Sequence, residues 1–477
     1  MEHSATYVIV GGGIAGVSCA EGLSFLHPDK TIILITASPL IKAVKNVVPL
    51  SKHLVQFDVE ECAPEKLSEK HSSVTVWHDT VAELDSKNHL LHTTSGKTVS
   101  YKKLCICTGG RAKLIAENHP HVVSIRDTQS VKDFQSCVKN ARRIVIVGNG
   151  GIATELSYEL EGIEIIWVVK DEHITAAFVD PGAAEFFKAK LEGSKETEGP
   201  SQRICKRMRF TEAEKAKANA AGAALGPDWH ANLNLRGLLA ASKTVSVKYG
   251  CEVKEILNAD EGKARSGDTD TWPVYLLLTN GDTVGCDLVV SATGVIPNSA
   301  LFARGNDDLN LAPDGGITVD EFMQSSLPDV YAAGDVCAAG WPLAKHWFQM
   351  RLWTQARQMG MYAAKCMVAS LRNEPILQDF CFEMFTHVTK FFGYKVVLLG
   401  LHNAQGLGSN CELLLRATMG VEYIKCVMQD GKMQGAVLIG ETDLEEMCEN
   451  LILDQLDLSD FGEALLDPNV DVEDYFD

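Results

Sequence analysis

The chain has 477 residues, 46% of them hydrophobic, and a formal net charge of −19. That is enough apolar material for several cores, and too much negative charge for the surface as a whole to hold a nucleic-acid backbone. No apolar run approaches the roughly 20 residues that cross a bilayer, and the first strand-like run starts at Thr6, so no targeting peptide is expected. Neither membrane nor direct nucleic-acid binding is expected, and the expected location is the cytoplasm, the nucleus or both. The fourteen cysteines are spread singly from Cys19 to Cys448, with only Cys105 and Cys107 close together. This is the pattern of a reduced compartment, neither a disulfide framework nor a metal site.

In chain order, the apolar run 6–10 leads into Gly11-Gly12-Gly13-Ile14-Ala15-Gly16 and then into helix-compatible sequence over 17–26. The first glycine of such a turn makes the bend, the second removes a side chain that would bar a phosphate, and the third lets the helix pack on its strand. Residues 1–127 read as a βαβ unit that closes on the strand 103–107 and ends in Thr108-Gly109-Gly110. A second unit, 128–299, repeats the plan. The run 143–147 precedes Gly148-Asn149-Gly150-Gly151-Ile152-Ala153 and a helix over 154–161, and the unit ends on a strand followed by Thr293-Gly294.

Within the second unit, 190–240 is rich in Lys, Glu, Ala and Gly, with a basic knot at Arg203, Lys206, Arg207 and Arg209. It is expected to be a surface insertion, partly helical. Residues 300–374 carry Ala332-Ala333-Gly334-Asp335 and a helix over about 352–371, and from 375 onward four strand-like runs lead into an acidic helix. The last stretch, 441–477, holds fourteen Asp or Glu and no Lys or Arg. It reads as a solvated tail, or as a docking element for a basic protein partner, since apolar residues interleave with the acids. The fold class that follows is α/β, with two Rossmann-like dinucleotide-binding domains (1–127 with 300–374, and 128–299) and a small α+β C-terminal domain over 375–477.

This ordered set, GxGxxG, strand-Thr-Gly, GxGxxA, Ala292-Thr293-Gly294-Val295-Ile296-Pro297 and Ala-Ala-Gly-Asp, resembles the pyridine nucleotide-disulfide oxidoreductase family of two-dinucleotide flavoproteins. The resemblance implies FAD on the first turn, with Gly11, Gly13 and Gly16 at its pyrophosphate. Asp335 would accept a hydrogen bond from the ribityl chain, and Trp353 would back the flavin. It implies NAD(P)H on Gly148, Gly150 and Ala153, with Gly294 nearby. Pro49-Leu50-Ser51-Lys52 resembles a family segment whose lysine lies by the flavin and pairs with a glutamate, here Glu155, so Lys52 and Glu155 are the expected catalytic pair. For Asp335, a buried carboxylate without a donor would cost several kcal/mol, and a sugar hydroxyl would supply one; a helix N-cap is the other role it could take.

Two departures shape the expected chemistry. Thr36 stands where sites of this type usually put an acid on the adenosine ribose, and Lys170, at the equivalent place in the second unit, would tolerate or favour a 2′-phosphate. The relay dithiol is also missing, because residues 38–56 hold no cysteine and Cys137 stands alone before the second turn. The expected activity is therefore an FAD-dependent oxidoreductase that takes hydride from NADPH or NADH and passes electrons to an unidentified acceptor without a redox-active cysteine pair. The alternative is a flavin- and NAD(P)-loaded redox-sensing protein that protects or regulates a partner assembly through its C-terminal domain and acidic tail, with slow turnover.

Overall fold

The computed structural model describes residues 2–126, 128–191, 204–210, 244–267, 269–408 and 410–467. The first unit runs β1 (Glu2–Val10), α1 (Ile14–Leu26), β2 (Ile32–Thr36), a hairpin of β3 (Ile41–Pro49) and β4 (Val55–Cys62), α2 (Glu65–Lys70), β5 (Val74–His78), β6 (Val81–Asp85), β7 (Leu90–Thr93) and β8 (Thr98–Ile106). Its sheet has the order β5-β2-β1-β8-β7-β6, parallel from β5 to β8. Tyr7, Val8 and Ile9 are buried on both faces of β1, which is why that strand reads as a continuous apolar run.

The chain crosses through β9 (Gly110–Ala112), β10 (Val122–Val123) and α3 (Thr128–Val138) into β11 (Arg143–Val147), α4 (Gly151–Glu159), β12 (Glu164–Val168) and α5 (Pro181–Leu191). Then follow β13 (Ile204–Phe210), β14 (Thr244–Lys248), β15 (Val253–Leu257), α6 (Ala259–Ser266), β16 (Val274–Leu278), β17 (Thr283–Cys286) and β18 (Leu288–Ser291). The second sheet, β10-β18-β11-β12-β14, is wholly parallel, and β15, β16 and β17 form a small antiparallel sheet beside it. The return strand β19 (Val295–Pro297) pairs antiparallel with β9, so the two connections between the units run side by side.

Through α7 (Ala300–Ala303), β20 (Ile317–Val319), β21 (Val330–Ala332), β22 (Cys337–Ala339) and α8 (Trp353–Arg372) the chain rejoins the first unit: β21 pairs with β8 in its sheet. Helix α8 lies against α1 so closely that a Cβ on Gly360 would stand 2.2 Å from the Ala15 carbonyl oxygen. Asp335 caps no helix, because Ala-Ala-Gly-Asp turns between β21 and β22 and α8 begins eighteen residues later at Trp353.

The C-terminal part comprises β23 (Thr386–Phe391), β24 (Tyr394–Gly400), β25 (Cys411–Thr418), β26 (Glu422–Gln429), β27 (Lys432–Ile439) and α9 (Glu445–Asp454). Its antiparallel sheet has the order β13-β25-β26-β27-β24-β23. The described part of the insertion beyond α5 is a strand, which its composition did not announce. Lys206, Arg207 and Arg209 belong to β13, which pairs along β25 from Ile204↔Ala417 to Phe210↔Cys411. An open sheet edge supplies a ladder that local composition does not announce. The rest of the insertion within 192–203 and 211–243, including Arg203, and the end of the acidic tail at 468–477 lie outside the described residues. The fold is α/β with two Rossmann-like dinucleotide-binding units, and a six-stranded antiparallel sheet packs on the second of them.

One face of that sheet shares a core with the second unit, where Phe391, Val396 and Ile439 meet Ile146 and Phe187; the other face is covered by Cys448, Leu451 and Ile452 of α9. A charged pair crosses the first boundary. Lys425 Nζ bonds the Asp180 carboxylate and, at 3.0 Å, Asn403 Oδ1, while the Tyr423 hydroxyl donates to Asp180 at 3.1 Å. Burial works to raise the Asp180 carboxyl, but the Lys425 ammonium and these hydrogen bonds outweigh it and hold the group below the usual carboxylate range. Lys425→Ala leaves a buried carboxylate uncompensated, so urea denaturation at neutral pH is expected to show a loss of about 3–5 kcal/mol. Because the folded-state carboxyl titrates below its unfolded value, that loss is full at neutral pH and shrinks on acidification below the ordinary carboxylate range.

Candidate functional site: two glycine turns and the arginine between them

At the carboxyl end of the first sheet lies a cavity of about 470 Å³. Its floor is the first glycine turn. Gly11 has φ +120°, and a Cβ there would stand 2.1 Å from the Cys107 carbonyl oxygen; a Cβ on Gly16 would stand 1.9 Å from the Gly11 carbonyl oxygen. Gly13 is the N-cap of α1, has no capping side chain, and has no atom within 4 Å of where its Cβ would be. The backbone amides at the start of α1 thus face open space, with the positive end of the helix dipole behind them, which is the chemistry a pyrophosphate requires.

Thr36 closes one end of this cavity. Its hydroxyl accepts from Ser38 N at 3.2 Å. Asp79, which the sequence reading missed, lines the same end. Burial raises the Asp79 carboxyl, but hydrogen bonds from the Ser95 and Thr93 hydroxyls and the Thr80 amide bring it down to about 2, so the cavity has an ionised acid although Thr36 is none. Trp353, the first residue of α8, forms a wall with Ile14, and Phe57 packs behind the two.

The second turn repeats the geometry. Gly148 has φ +128°, with its Cβ position 2.1 Å from the Ala292 carbonyl oxygen, and Gly150 is the N-cap of α4 without a capping side chain. Ala153 is fully buried in α4, and Gly294, at φ +99°, has nothing within 4 Å of its Cβ position. A small cleft here is lined by Gly150, Gly151, Ser291 and Gly294. Lys170 is exposed just past β12, but a carboxylate stands next to it: Asn149 of the turn donates to Asp171 Oδ2 at 2.8 Å.

Arg126 lines both the cavity and the cleft. Its Nε donates to the Gly110 carbonyl at 3.0 Å and its Nη2 bonds Asp335, whose own carbonyl accepts from Arg351 Nε at 2.8 Å. The half-buried Asp335 carboxylate therefore has a donor within the chain, a guanidinium, and does not depend on a sugar hydroxyl for one. No motif flags Arg126; its only cue is an arginine in the crossing between two nucleotide units.

A family model described as pyridine nucleotide-disulphide oxidoreductase matches residues 5–195 and 237–360. The chain belongs to that family. The Homo sapiens protein named pyridine nucleotide-disulfide oxidoreductase domain-containing protein 1 is 53% identical, over 99% of this chain and 98% of its own. The Drosophila melanogaster protein of the same name is 46% identical over the full length of both. Among solved structures, a ferredoxin reductase from Rhodopseudomonas palustris superposes with a TM-score of 0.67 at 19% identity, over 99% of each chain. The water-forming NADH oxidase from Lactobacillus brevis bound to NADH gives 0.65 at 17%, over 98% of this chain and 94% of its own. At such identities the likeness concerns the fold.

The lysine and glutamate of the family segment are not brought together. Lys52 is exposed at the tip of the β3–β4 hairpin and lines neither space, Glu155 is buried in α4, and no ion pair joins them among the described residues. The physical reason is that the tip of the hairpin is bound by a different carboxylate, Glu449 of α9. The lysine that does line the cavity is Lys42 on β3, 3.2 Å from Glu61.

Cys105 and Cys107, the cysteines closest together in the sequence, are ill suited to a relay. Cys105 and Cys107 are buried with their sulfurs 3.5 Å apart, and Cys107 reaches the cavity wall. Its hydrogen bond with Cys105 and its burial both push the Cys107 thiol well above the ordinary range, leaving it protonated and a poor nucleophile.

Gly11 and Gly13 separate folding from binding. Gly11→Ala is expected to lower stability, by about 1–3 kcal/mol from backbone strain alone and more from the clash with Cys107. Gly13→Ala, at φ −77° with open space around it, is expected to fold normally but lose FAD retention, because its methyl group enters the cradle. Thermal melts and FAD-to-protein ratios of the two purified variants check this.

Proposed function

We propose that this chain is an FAD-dependent oxidoreductase that accepts hydride from NADPH or NADH and passes the electrons on without a redox-active cysteine pair. The observation that carries the reading is the pair of uncapped glycine turns opening toward one guanidinium, Arg126, which lines both spaces. Bound FAD would supply the two-electron chemistry. What the chain contributes is binding, orientation and a fixed charge.

The start of α1 would hold the FAD pyrophosphate and the start of α4 that of the nicotinamide dinucleotide, with Gly294 leaving room beside the second. Arg126, braced by Asp335 and the Gly110 carbonyl, keeps a positive charge at the seam, where negative charge arriving with the reducing equivalents is stabilised without reorganisation. Trp353 and Ile14, backed by Phe57, would exclude water from one wall. Lys170 would attract a 2′-phosphate, whereas Asp171 beside it would accept from a ribose hydroxyl, so both nicotinamide donors are proposed.

The acceptor is proposed to be a small oxidant or a protein. The second reading, a redox-loaded regulator of a partner assembly with slow turnover, gains weight from the hydrogen bonds that tie the C-terminal α9 to the hairpin at the cavity. An anaerobic visible spectrum of the purified protein before and after one equivalent of NADPH, then of NADH, with air readmitted, separates the two. Bleaching with fast recovery in air favours the enzyme, persistent bleaching favours the regulator, and absence of a flavin band sinks both. Asp335→Ala strips Arg126 of its carboxylate partner; at about 1.5–3 kcal/mol for a charged hydrogen bond, FAD retention is expected to fall by about one to two orders of magnitude, read as FAD released on gel filtration.

A further inference from the structure

The β3–β4 hairpin leaves the first unit and ends on the C-terminal sheet. At its root Lys42 N donates to the Gly12 carbonyl at 2.9 Å, which ties the hairpin to the glycine turn. Along its shaft Phe57, Val44, Val55 and Val59 pack on Ile14 and Trp353, so the shaft backs a cavity wall. At its tip the partners change. The Glu449 side chain, with 0% exposure, accepts from the Ser51 hydroxyl, from His53 N at 3.2 Å and from His53 Nδ1 at 2.9 Å. The Thr386 hydroxyl of β23 donates to the His53 carbonyl at 3.4 Å, and Leu50 and Leu54 sit in the core of Leu451 and Ile452.

A carboxylate sealed from water must be satisfied by the groups that face it. The hydrogen bonds to Glu449 come from one turn almost four hundred residues upstream, and that turn closes on itself through Leu54 N donating to Ser51 Oγ at 3.0 Å. Burying a glutamate in an otherwise apolar core is costly unless it specifies an arrangement, and the arrangement specified here is the position of the hairpin tip.

We propose that Glu449 is a positioning residue for the flavin cavity: by fixing the tip of the β3–β4 hairpin it holds the shaft in place behind the Ile14 and Trp353 wall, which makes the C-terminal sheet and α9 a working part of the cofactor site. The proposal rests on the reading of the cavity as the FAD site. It accounts for Lys52, whose exposure at the clamped tip follows from its neighbours Ser51 and His53 being turned toward Glu449.

Lys52 also supplies the probe, since trypsin cuts after an exposed lysine only when the turn can open. In full-length wild type, Glu449→Ala, Glu449→Gln and Ser51→Ala, two quantities are measured: the FAD dissociation constant from flavin fluorescence, with the bound-flavin spectrum, and the rate of cleavage after Lys52. Glu449→Ala, which removes three hydrogen bonds, is expected to raise both by at least about tenfold, the scale of one charged hydrogen bond, with Glu449→Gln partway, since its amide oxygen still accepts. Phe57→Ala alone is expected to weaken FAD, and to add little on top of Glu449→Ala, because both act through the same shaft. Should Glu449→Ala fail to fold, Ser51→Ala carries the test, as it removes one donor and leaves the carboxylate two.

Faster cleavage with unchanged FAD affinity and spectrum overturns the proposal, reducing Glu449 to a tether. Unchanged cleavage overturns it as well. A wild-type protein that binds no FAD removes the cavity reading and the proposal with it, and the cleavage rates then still report whether Glu449 holds the turn.

Discussion

At the end of β1 the backbone passes the end of β8 so closely that any side chain on Gly11 would strike the Cys107 carbonyl, and at the end of β11 Gly148 passes Ala292 at the same 2.1 Å. This close pass is the constraint on which both sites depend. Parallel neighbours bring two strand ends to one level, and the chain leaves the strand without colliding only by turning through a positive φ, which favours glycine. The turn then delivers the first amides of a helix to the space above the sheet. Where an ordinary helix would place Ser, Thr or Asp over those amides, α1 and α4 begin with Gly13 and Gly150 and no side chain. A helix start left bare in this way leaves its amides open to an anion, so one backbone geometry accounts for both the fold of each unit and a helix start suited to phosphate.

The repeat also explains how two sites become one. Strands β9 and β19 run antiparallel between the units, and Arg126 follows Ile125 out of the crossing to stand where the two spaces meet. Its pairing with Asp335 ties the crossing to the segment that rejoins the first unit, through a charge pair with each side chain 12% exposed. At that degree of burial the pair is screened far less than a surface pair would be, and removing either member strands the other.

What the sequence made legible follows from how local each constraint is. The glycine turns and the two Thr-Gly ends were readable because the conformation that needs them is set within a few residues, and the four C-terminal strands after β23 because their apolar runs are long. Arg126 was not, since its partner is 209 residues away, and neither was Asp79, whose place in the cavity depends on β5 lying beside β2. The strand over 204–210 was not legible for the complementary reason: it forms on the edge that β25 offers, far along the chain, and the composition of the insertion around it does not announce a strand. Lys52 is the most instructive case. The motif around it is local and intact, yet the partner assigned to it was not, because the tip that carries it is drawn by Ser51 and His53 toward Glu449.

The same desolvation that strengthens the Arg126–Asp335 pair disables the thiols. Cys105, Cys107 and Cys337 are all buried, and their thiols are all raised above the ordinary range; for Cys337 burial comes first and pushes it to about 12. A disulfide relay needs a thiolate that attacks and leaves readily, and a wall built to exclude water cannot provide one. Burial therefore selects between two uses of the fold. A polar, exposed pair of cysteines is what a disulfide reductase uses, whereas the buried thiols and braced guanidinium here suit the proposed direct transfer of electrons to whatever reaches the cofactor. On the proposed reading, control of the reaction then falls to the groups that shape the wall and govern access, and the hairpin clamped by Glu449 is the backing of that wall held from outside the two nucleotide units.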